Sequence, residues 1–282
     1  MVVIVDYKNI VELLLNGAKF IHVGNNYKEY VDSHIRNSVF LNYQSLKNSR
    51  VFENTIRGAD SVLPNLPISD NNLVEIIKNL RISMNDDIVV YGNSGDNVKN
   101  IFYVLHILLS RGFKKVYYLN TDWRTLPDEL KTIELPVWEI VNETIGCFDD
   151  FVHSQELSAY VKINAVSILD VRKVGDFCRS HIPEAVNIDW KHFFVPESEH
   201  NGVIIPSNTI KPLEQIIKIL LTMKLDSNTS LIISGEDGND ISPVVFILRR
   251  LLNWENVRCH FDSWNVWSYL NKINPISFPL TH

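Results

Sequence analysis

The chain has 282 residues, 45% of them hydrophobic and 21% charged, with a formal net charge of −6. That length holds two domains of ordinary size, and the composition is that of a globular protein, not a disordered or fibrous one. The acidic balance, with no Lys/Arg run of five or more, argues against nucleic-acid binding through a basic face.

The first twenty residues, MVVIVDYKNIVELLLNGAKF, lack a basic leader and a small-residue cleavage site, and Asp6, Lys8 and Glu12 interrupt their apolar run. They do not read as a secretory signal. No stretch approaches the ~20 uninterrupted apolar residues of a membrane span. The three cysteines, Cys147, Cys178 and Cys259, are scattered and odd in number, without zinc-ligand or C-x-x-C spacing. A reducing compartment fits such usage. The sequence therefore predicts a cytoplasmic or nuclear protein with no membrane or nucleic-acid partner.

Farther along, the pattern is spelled twice. FIHVGNNYKEYVDSHIRNSVFLNYQSL in the first half has a counterpart in SILDVRKVGDFCRSHIPEAVNIDWKHF. DDIVVYGNSGDNVKNIFYVLHILLSRGFKKVYYLNTDW has one in SLIISGEDGNDISPVVFILRRLLNWENVRCHFDSW. His34 matches His181, Gly92 matches Gly235, and Trp123 matches Trp264, at a spacing that drifts slowly, as small loop insertions would make it. Two copies of one domain follow. The first spans residues 1–135, a linker 136–155, and the second 156–282. The linker's apolar content predicts that the copies pack together, since a free tether is rich in Gly, Ser or charge.

In the second copy, ILDV (168–171) and AVNI (185–188) read as strands, and 209–223 has apolar residues at helical spacing. LIIS (231–234) is a strand, 242–252 a helix with Pro243 in its first turn, and VRCHF (257–261) a strand. Alternating strands and helices imply an α/β fold, each domain a mostly parallel sheet flanked by helices.

Both halves resemble rhodanese domains, and the whole resembles a tandem-rhodanese sulfurtransferase of the thiosulfate or 3-mercaptopyruvate type. LDVRKVGDFCRSHIPEAVNI, with Asp170, Arg172 and His181, is close to the family's D-x-R followed by G-H-I-P-G-A. HFDSWNVW, with Trp264 and Trp267, is close to D-G-S-W-x-x-W. In the first half His22 and Gly24 stand where the family favours Asp and Arg, and HIRNSV replaces H-I-P-G-A. The resemblance implies structural roles: an ion pair for Asp170 and Arg172, a loop anchor for His34 and His181, and a core clamp for the two tryptophans.

The resemblance also implies where chemistry belongs. The family's C-terminal loop has the form C-x-x-G-x-[ST], and its thiolate carries a sulfur atom as a persulfide within a cradle of backbone amides. Aligned on Gly238, the loop Gly235-Glu236-Asp237-Gly238-Asn239-Asp240 places Gly235 at the cysteine position. The loop Gly92-Asn93-Ser94-Gly95-Asp96-Asn97, aligned on Gly95, places Gly92 there. Its two glycines give the second loop the means to form an anion nest. Its three carboxylates oppose anion binding, since charges ~6 Å apart repel by about 1–3 kcal/mol.

DGND in this loop lacks the EF-hand pattern and reads as a solvated acidic loop, not a metal site. No cofactor is predicted. The sequence points to a non-catalytic tandem rhodanese-like protein that acts as a protein-interaction or regulatory module. Its expected partner is another protein, with a basic segment a candidate for the acidic loop of the second domain. The alternative is a sulfurtransferase of the thiosulfate or 3-mercaptopyruvate type using a displaced cysteine, or a hydrolase-like activity on the altered cradle.

Overall fold

A computed structural model of the protein describes residues 4–52, 61–139, 151–200, 203–260 and 262–271. The first half contains β1 (Ile4–Val5), α1 (Tyr7–Leu15), β2 (Lys19–Gly24), α2 (Tyr27–Asp32), β3 (His34–Ile35), β4 (Ser38–Asn42), β5 (Lys47–Phe52) and β6 (Ser61–Pro67). It continues through α3 (Asp70–Leu80), β7 (Ile88–Gly92), α4 (Val98–Ser110), β8 (Val116–Leu119) and β9 (Lys131–Thr132). The second half contains α5 (Ser154–Lys162), β10 (Ser167–Asp170), α6 (Val174–Arg179), β11 (Val186–Asn187), β12 (Phe194–His200) and β13 (Val203–Ile210). It ends with α7 (Leu213–Thr222), β14 (Leu231–Ser234), α8 (Gly238–Phe246), β15 (Val257–Cys259) and α9 (Ser263–Leu270). Residues 140–150 of the linker, Cys147 among them, lie outside the described residues.

One sheet has the order β1-β8-β7-β2-β4, with each of its neighbours parallel. The other runs β11-β10-β14-β15, again parallel throughout. A parallel bridge between Phe151 and Cys259 sets Phe151 beside β15, the place that β1 holds beside β8. The same strand order thus occurs in both copies. The central strands β7 (IVVYG) and β14 (LIIS) are buried along their whole length. Such two-sided burial is why they read as continuous apolar runs and not as alternating ones. No helix among the described residues is long and apolar enough to cross a membrane.

Two helices begin elsewhere than their sequence suggests. The helix expected over 242–252 begins at Gly238, because the Asp237 carboxylate accepts the Asn239 N–H at 2.9 Å and caps the first turn. Pro243 is therefore the sixth residue of α8 and not in its first turn, and the helix passes into a π turn at Ile247–Leu251. The helix expected from 209 begins at Leu213, since Thr209 and Ile210 belong to β13 and Pro212 is the N-cap.

The chain clusters into two compact units that differ from a division by sequence position. The first comprises Met1–Lys47, Pro67–Asp149 and Phe194–Ile210; the second comprises Asn48–Leu66, Asp150–Phe193 and Lys211–His282. The antiparallel hairpin β12–β13, written in the second half of the sequence, is therefore part of the first unit. Within that unit the Tyr118 hydroxyl donates to the Asn208 carbonyl at 2.5 Å, and Ile210 N–H donates to Asn120 Oδ1 at 2.8 Å. Asn208 Nδ2 donates to the Gly92 carbonyl at 3.0 Å, and Phe194 meets Phe102 edge-on with centroids 5.5 Å apart. Asn208 is buried, so Asn208→Ala should leave the Gly92 carbonyl without this donor and cost about 1–3 kcal/mol. Urea unfolding of the full chain measures it; an unchanged midpoint and slope would show that the hairpin contributes nothing through this bond.

Candidate functional site

In the first unit β7 ends at Gly92, the residue that the sequence resemblance aligns with the family's cysteine. A β-carbon at that position would lie 2.4 Å from the Val23 carbonyl oxygen and 2.8 Å from Asn97 Nδ2. The first neighbour is backbone on the adjacent strand, paired with Gly92 in register, so it cannot give way cheaply. The Asn97 amide occupies the remaining space, donating to the Val23 carbonyl at 3.1 Å and accepting from Asn100 Nδ2 at 3.2 Å. Asn93 is clamped between Glu29, to which its amide donates at 2.7 Å, and the Trp123 indole N–H, which donates to it at 3.1 Å. Ser94 Oγ accepts from Arg124 at 3.4 Å, and Asp96 faces solvent. Gly95, at φ 77°, is the only residue of either loop in the left-handed region, the conformation that glycine adopts without steric cost.

In the second unit β14 ends at Ser234, and Gly235 follows. A β-carbon there would meet Asp240 Cβ at 3.0 Å, Ile241 Cγ1 at 3.1 Å and Val171 Cγ2 at 3.2 Å. The site is tight on three sides, although its neighbours are side chains. The expected two-glycine nest is not formed: Gly238 is already the first residue of α8. The Trp264 N–H donates to the Gly235 carbonyl at 2.8 Å, and Ser242 Oγ donates to the Gly238 carbonyl at 2.6 Å.

The acidic loop also differs from the solvated one that the sequence suggests. Asp237 is 9% exposed and Asp240 6%, and Asn239 is fully buried. Early capping is the reason: it turns Asp237 into the N-cap and carries Asp240 into the first helical turn, where the helix dipole favours a carboxylate. Glu236 alone stays half-exposed, with Oε2 4.0 Å from Arg172 Nη1. Burial pushes the Glu236 carboxyl up, Arg172 draws it down, and Asp240, Asp176 and Asp237 push it up again. Among the described residues no group of three or more His, Cys, Asp or Glu side chains could hold a metal ion.

The two units solve the burial of their equivalent strand ends differently. At the end of β10, Arg172 lies against Asp170, with Nη2 2.6 Å from Oδ2 and Nε 3.1 Å from Oδ1. Arg172 Nη2 also donates to the Ser180 carbonyl at 2.8 Å, and its guanidinium sits 4.2 Å from the Trp264 ring centroid. Both charges are buried. Hydrogen bonds and the aromatic face offset the desolvation that a buried pair incurs. In the first unit His22 replaces the acid and is ringed by Tyr30, Phe40, Tyr91 and Trp123, at centroid distances from 4.9 to 6.0 Å. Burial, with the nearby His34 second, draws the His22 pKa down to about 4. A neutral imidazole among aromatic rings stands where the other unit has an ion pair.

His34 and His181 occupy matching places after α2 and α6. His34 stacks on Tyr30 at 4.0 Å with Nδ1 2.7 Å from the Tyr30 carbonyl; His181 stacks on Phe177 at 4.1 Å with Nδ1 2.9 Å from the Phe177 carbonyl. Each folds back over the residue four positions earlier and pins the short helix. Trp264 and Trp267 are buried with Val152, Leu157, Ile168, Ile182 and Ile232. Neither described cysteine lies in the loop after β7 or the loop after β14: Cys259 is buried in β15, opposite Ile233, and Cys178 is exposed on α6.

Two features carried no signal in the sequence. One is Asn208, which reaches the Gly92 loop from a distant hairpin. The other is a buried relay in the second unit, where His260 Nδ1 is 3.0 Å from Ser234 Oγ and Nε2 is 2.8 Å from Ser154 Oγ. All three residues are buried, which closes this serine–histidine pair to any substrate. Burial draws the His260 pKa down to about 4, with Asp262 pulling upward and His153 downward.

Comparison with known proteins finds the rhodanese-like domain twice, at residues 18–125 and 153–269. A thiosulfate sulfurtransferase of Corynebacterium glutamicum is 20% identical over 224 residues, 71% of this chain and 69% of that protein. The fold matches the crystal structure of the 3-mercaptopyruvate sulfurtransferase SseA of Escherichia coli with a TM-score of 0.71 at 19% identity, over 94% of this chain and 99% of that one. It matches Tum1 of Saccharomyces cerevisiae with a TM-score of 0.74 at 20% identity, over 98% of both chains.

Two buried histidines, His22 and His260, make stability fall with acid. Both are held at a pKa of about 4, against 6.5 for the unburied group. The stability of their neutral forms is therefore present above 6.5 and lost as pH falls toward 4. Each should cost about 2 kcal/mol between pH 7 and pH 5. His22→Phe, which suits the aromatic ring around it, should remove its share of the slope; urea unfolding at the two pH values would show an unchanged slope if His22 were already charged in the folded state.

Gly235→Cys should destabilise the protein by about 1–3 kcal/mol, since its β-carbon must displace Asp240, Ile241 or Val171. The new thiol would face Glu236 and Asp240, and like charge raises an acid's pKa. The pH dependence of its alkylation should give a value at or above about 8.5. A value well below that would mean that the amide dipoles of α8 outweigh the carboxylates.

Proposed function

This chain belongs to the rhodanese-like family, and on that premise we propose that it is a non-catalytic member acting through protein contact as an interaction or regulatory module. The observation that carries this reading is steric. A side chain at residue 92 would overlap the Val23 backbone, and one at residue 235 would be pressed on three sides. Neither glycine is a small replacement in an otherwise open cradle. Rhodanese chemistry requires a nucleophilic sulfur held by loop amides, and here the space beside residue 92 is taken by the Val23 carbonyl and Asn97, and that beside residue 235 by Asp240, Ile241 and Val171.

The partner reading shifts with the burial of the second loop. Only Glu236 of the three carboxylates is open to solvent, and Arg172 already stands 4.0 Å from it. A basic segment would find one partly compensated charge at this mouth, so an interaction surface elsewhere on the chain suits the reading better.

The second reading, a sulfurtransferase with a displaced cysteine, is favoured by the exposed Cys178 and by the sulfurtransferase names of the relatives. Purified protein incubated with thiosulfate and cyanide, and separately with 3-mercaptopyruvate and a thiol acceptor, should show no turnover above the uncatalysed rate. Turnover abolished by one of Cys147→Ser, Cys178→Ser or Cys259→Ser would establish the displaced nucleophile instead.

A further inference from the structure

Helix α1 carries more apolar surface than the core of its unit covers. The Asp6 carboxylate accepts the Lys8 and Asn9 N–H groups, and the Asn9 side chain accepts the Asp6 N–H in return, so the helix start is fixed by a capping box. Its apolar residues are Tyr7, Ile10, Val11, Leu13, Leu14 and Leu15. Ile10 is fully buried, and Leu13 and Leu14 pack against the same core. Tyr7 is 47% exposed, Val11 41% and Leu15 83%. Residues 7, 11 and 15 fall at i, i+4 and i+8, one above the other along a single row. The apolar arc is therefore wider than the part that folding uses.

Beside that row is a cavity of about 250 Å³, lined by Val11, Leu14, Leu15, Arg36, Asn37 and Leu130. Its polar chemistry reduces to one group. The Asn37 amide is spent: Nδ2 donates to the Ala18 carbonyl at 2.6 Å, and Oδ1 accepts from the Trp138 indole at 2.6 Å. Arg36 is exposed, and only its backbone N–H is engaged, donating to the Leu130 carbonyl at 2.8 Å. Among the described residues no carboxylate pairs with its guanidinium; the nearby Asp128 bonds Lys131 instead.

We propose that the Tyr7–Val11–Leu15 row and the adjoining cavity form a docking groove for an amphipathic helix of a partner protein that carries a large apolar anchor beside an Asp or Glu. The size of the cavity separates this occupant from a cofactor or metabolite. Small-molecule pockets run from about 300 to 1,000 Å³ and enclose their ligand, whereas this one holds about one large side chain. The exposed row continues the apolar surface beyond it, as a groove for helix anchors at i, i+3 and i+4 does. Arg36 supplies the matching rim charge, which selects an acidic residue on the partner. The inference deepens the interaction-module reading by naming a surface and a partner class. Its test is a binding measurement, so it stands or falls separately from any sulfur-transfer assay.

A phage library of amphipathic helical peptides, with Leu or Phe on one face and acidic, basic or neutral residues beside them, is selected on the full chain. The winning peptide is titrated by fluorescence anisotropy. Winners should carry a carboxylate next to a Leu or Phe anchor. Leu15→Glu and Arg36→Glu, both at exposed positions, should each weaken binding by about tenfold or more. A peptide with Lys in place of the carboxylate should recover affinity on the Arg36→Glu chain and not on the native one. Winners that bind all three chains equally, or no winner at all, would overturn the proposal. So would a native homodimer in sedimentation that Leu15→Glu dissociates, which would assign the row to a second copy of this chain.

Discussion

The backbone of β7 passes so close to that of β2 that a β-carbon at residue 92 would stand 2.4 Å from the carbonyl oxygen of Val23. The first unit is arranged around that approach. With no side chain to accommodate, the strand end brings its carbonyl within reach of Asn208, and the loop folds so that Asn97 and Asn93 fill it. Asn208 Nδ2 and Asn97 Nδ2 each donate to a backbone carbonyl and Asn93 bonds Glu29 and Trp123, while Asn208 Oδ1 is buried without a hydrogen-bond partner. The loop after β7 is a corner held by its own amides.

The second unit reaches a related end by different chemistry. In its loop Asp237 caps α8, so that Gly238, Asn239 and Asp240 belong to the helix. Arg172 then mediates between two environments. One side is saturated by Asp170, the Ser180 carbonyl and the face of Trp264, and the other looks toward Glu236 at 4.0 Å. The first unit meets the same geometric demand with the neutral His22 among aromatic rings. An ion pair and an aromatic box are interchangeable at this position as long as nothing charged is left alone. Removing one partner of a buried pair costs about 3–5 kcal/mol; in the first copy neither the Asp nor the Arg of D-x-R is present, and His22 and Gly24 stand in their places.

A doubly parallel α/β fold presents its loops at the carboxyl ends of the strands, where ligands of such folds collect. Kinship at about one-fifth identity carries that architecture, and the chemistry is decided by the side chains at the loops. Both loops here are occupied from within. The surface features left over are consequently those remote from the sheet ends, and the excess apolar arc of α1 is the clearest of them.

The sequence alone determined the tandem repeat, the α/β class and the parallel central strands. Each of these is local or periodic: apolar runs, matched motifs and the spacing of Ser-His-Ile. The pairing of Asp170 with Arg172 and the bond of each histidine to the carbonyl four residues before it are local too, although His34 Nε2 also reaches the Glu134 carbonyl at 3.1 Å. Contacts between distant segments were decided only by the tertiary structure. The burial of Asp237 and Asp240 depended on where α8 starts, which one capping bond sets and composition does not reveal. Asn208 reaches Gly92 only because a hairpin from the second half of the sequence belongs to the first unit, and the relay of Ser154, His260 and Ser234 joins three elements at once. A linear pattern encodes which residues are apolar and how often they recur; it does not encode which far segment fills the space that a missing side chain leaves.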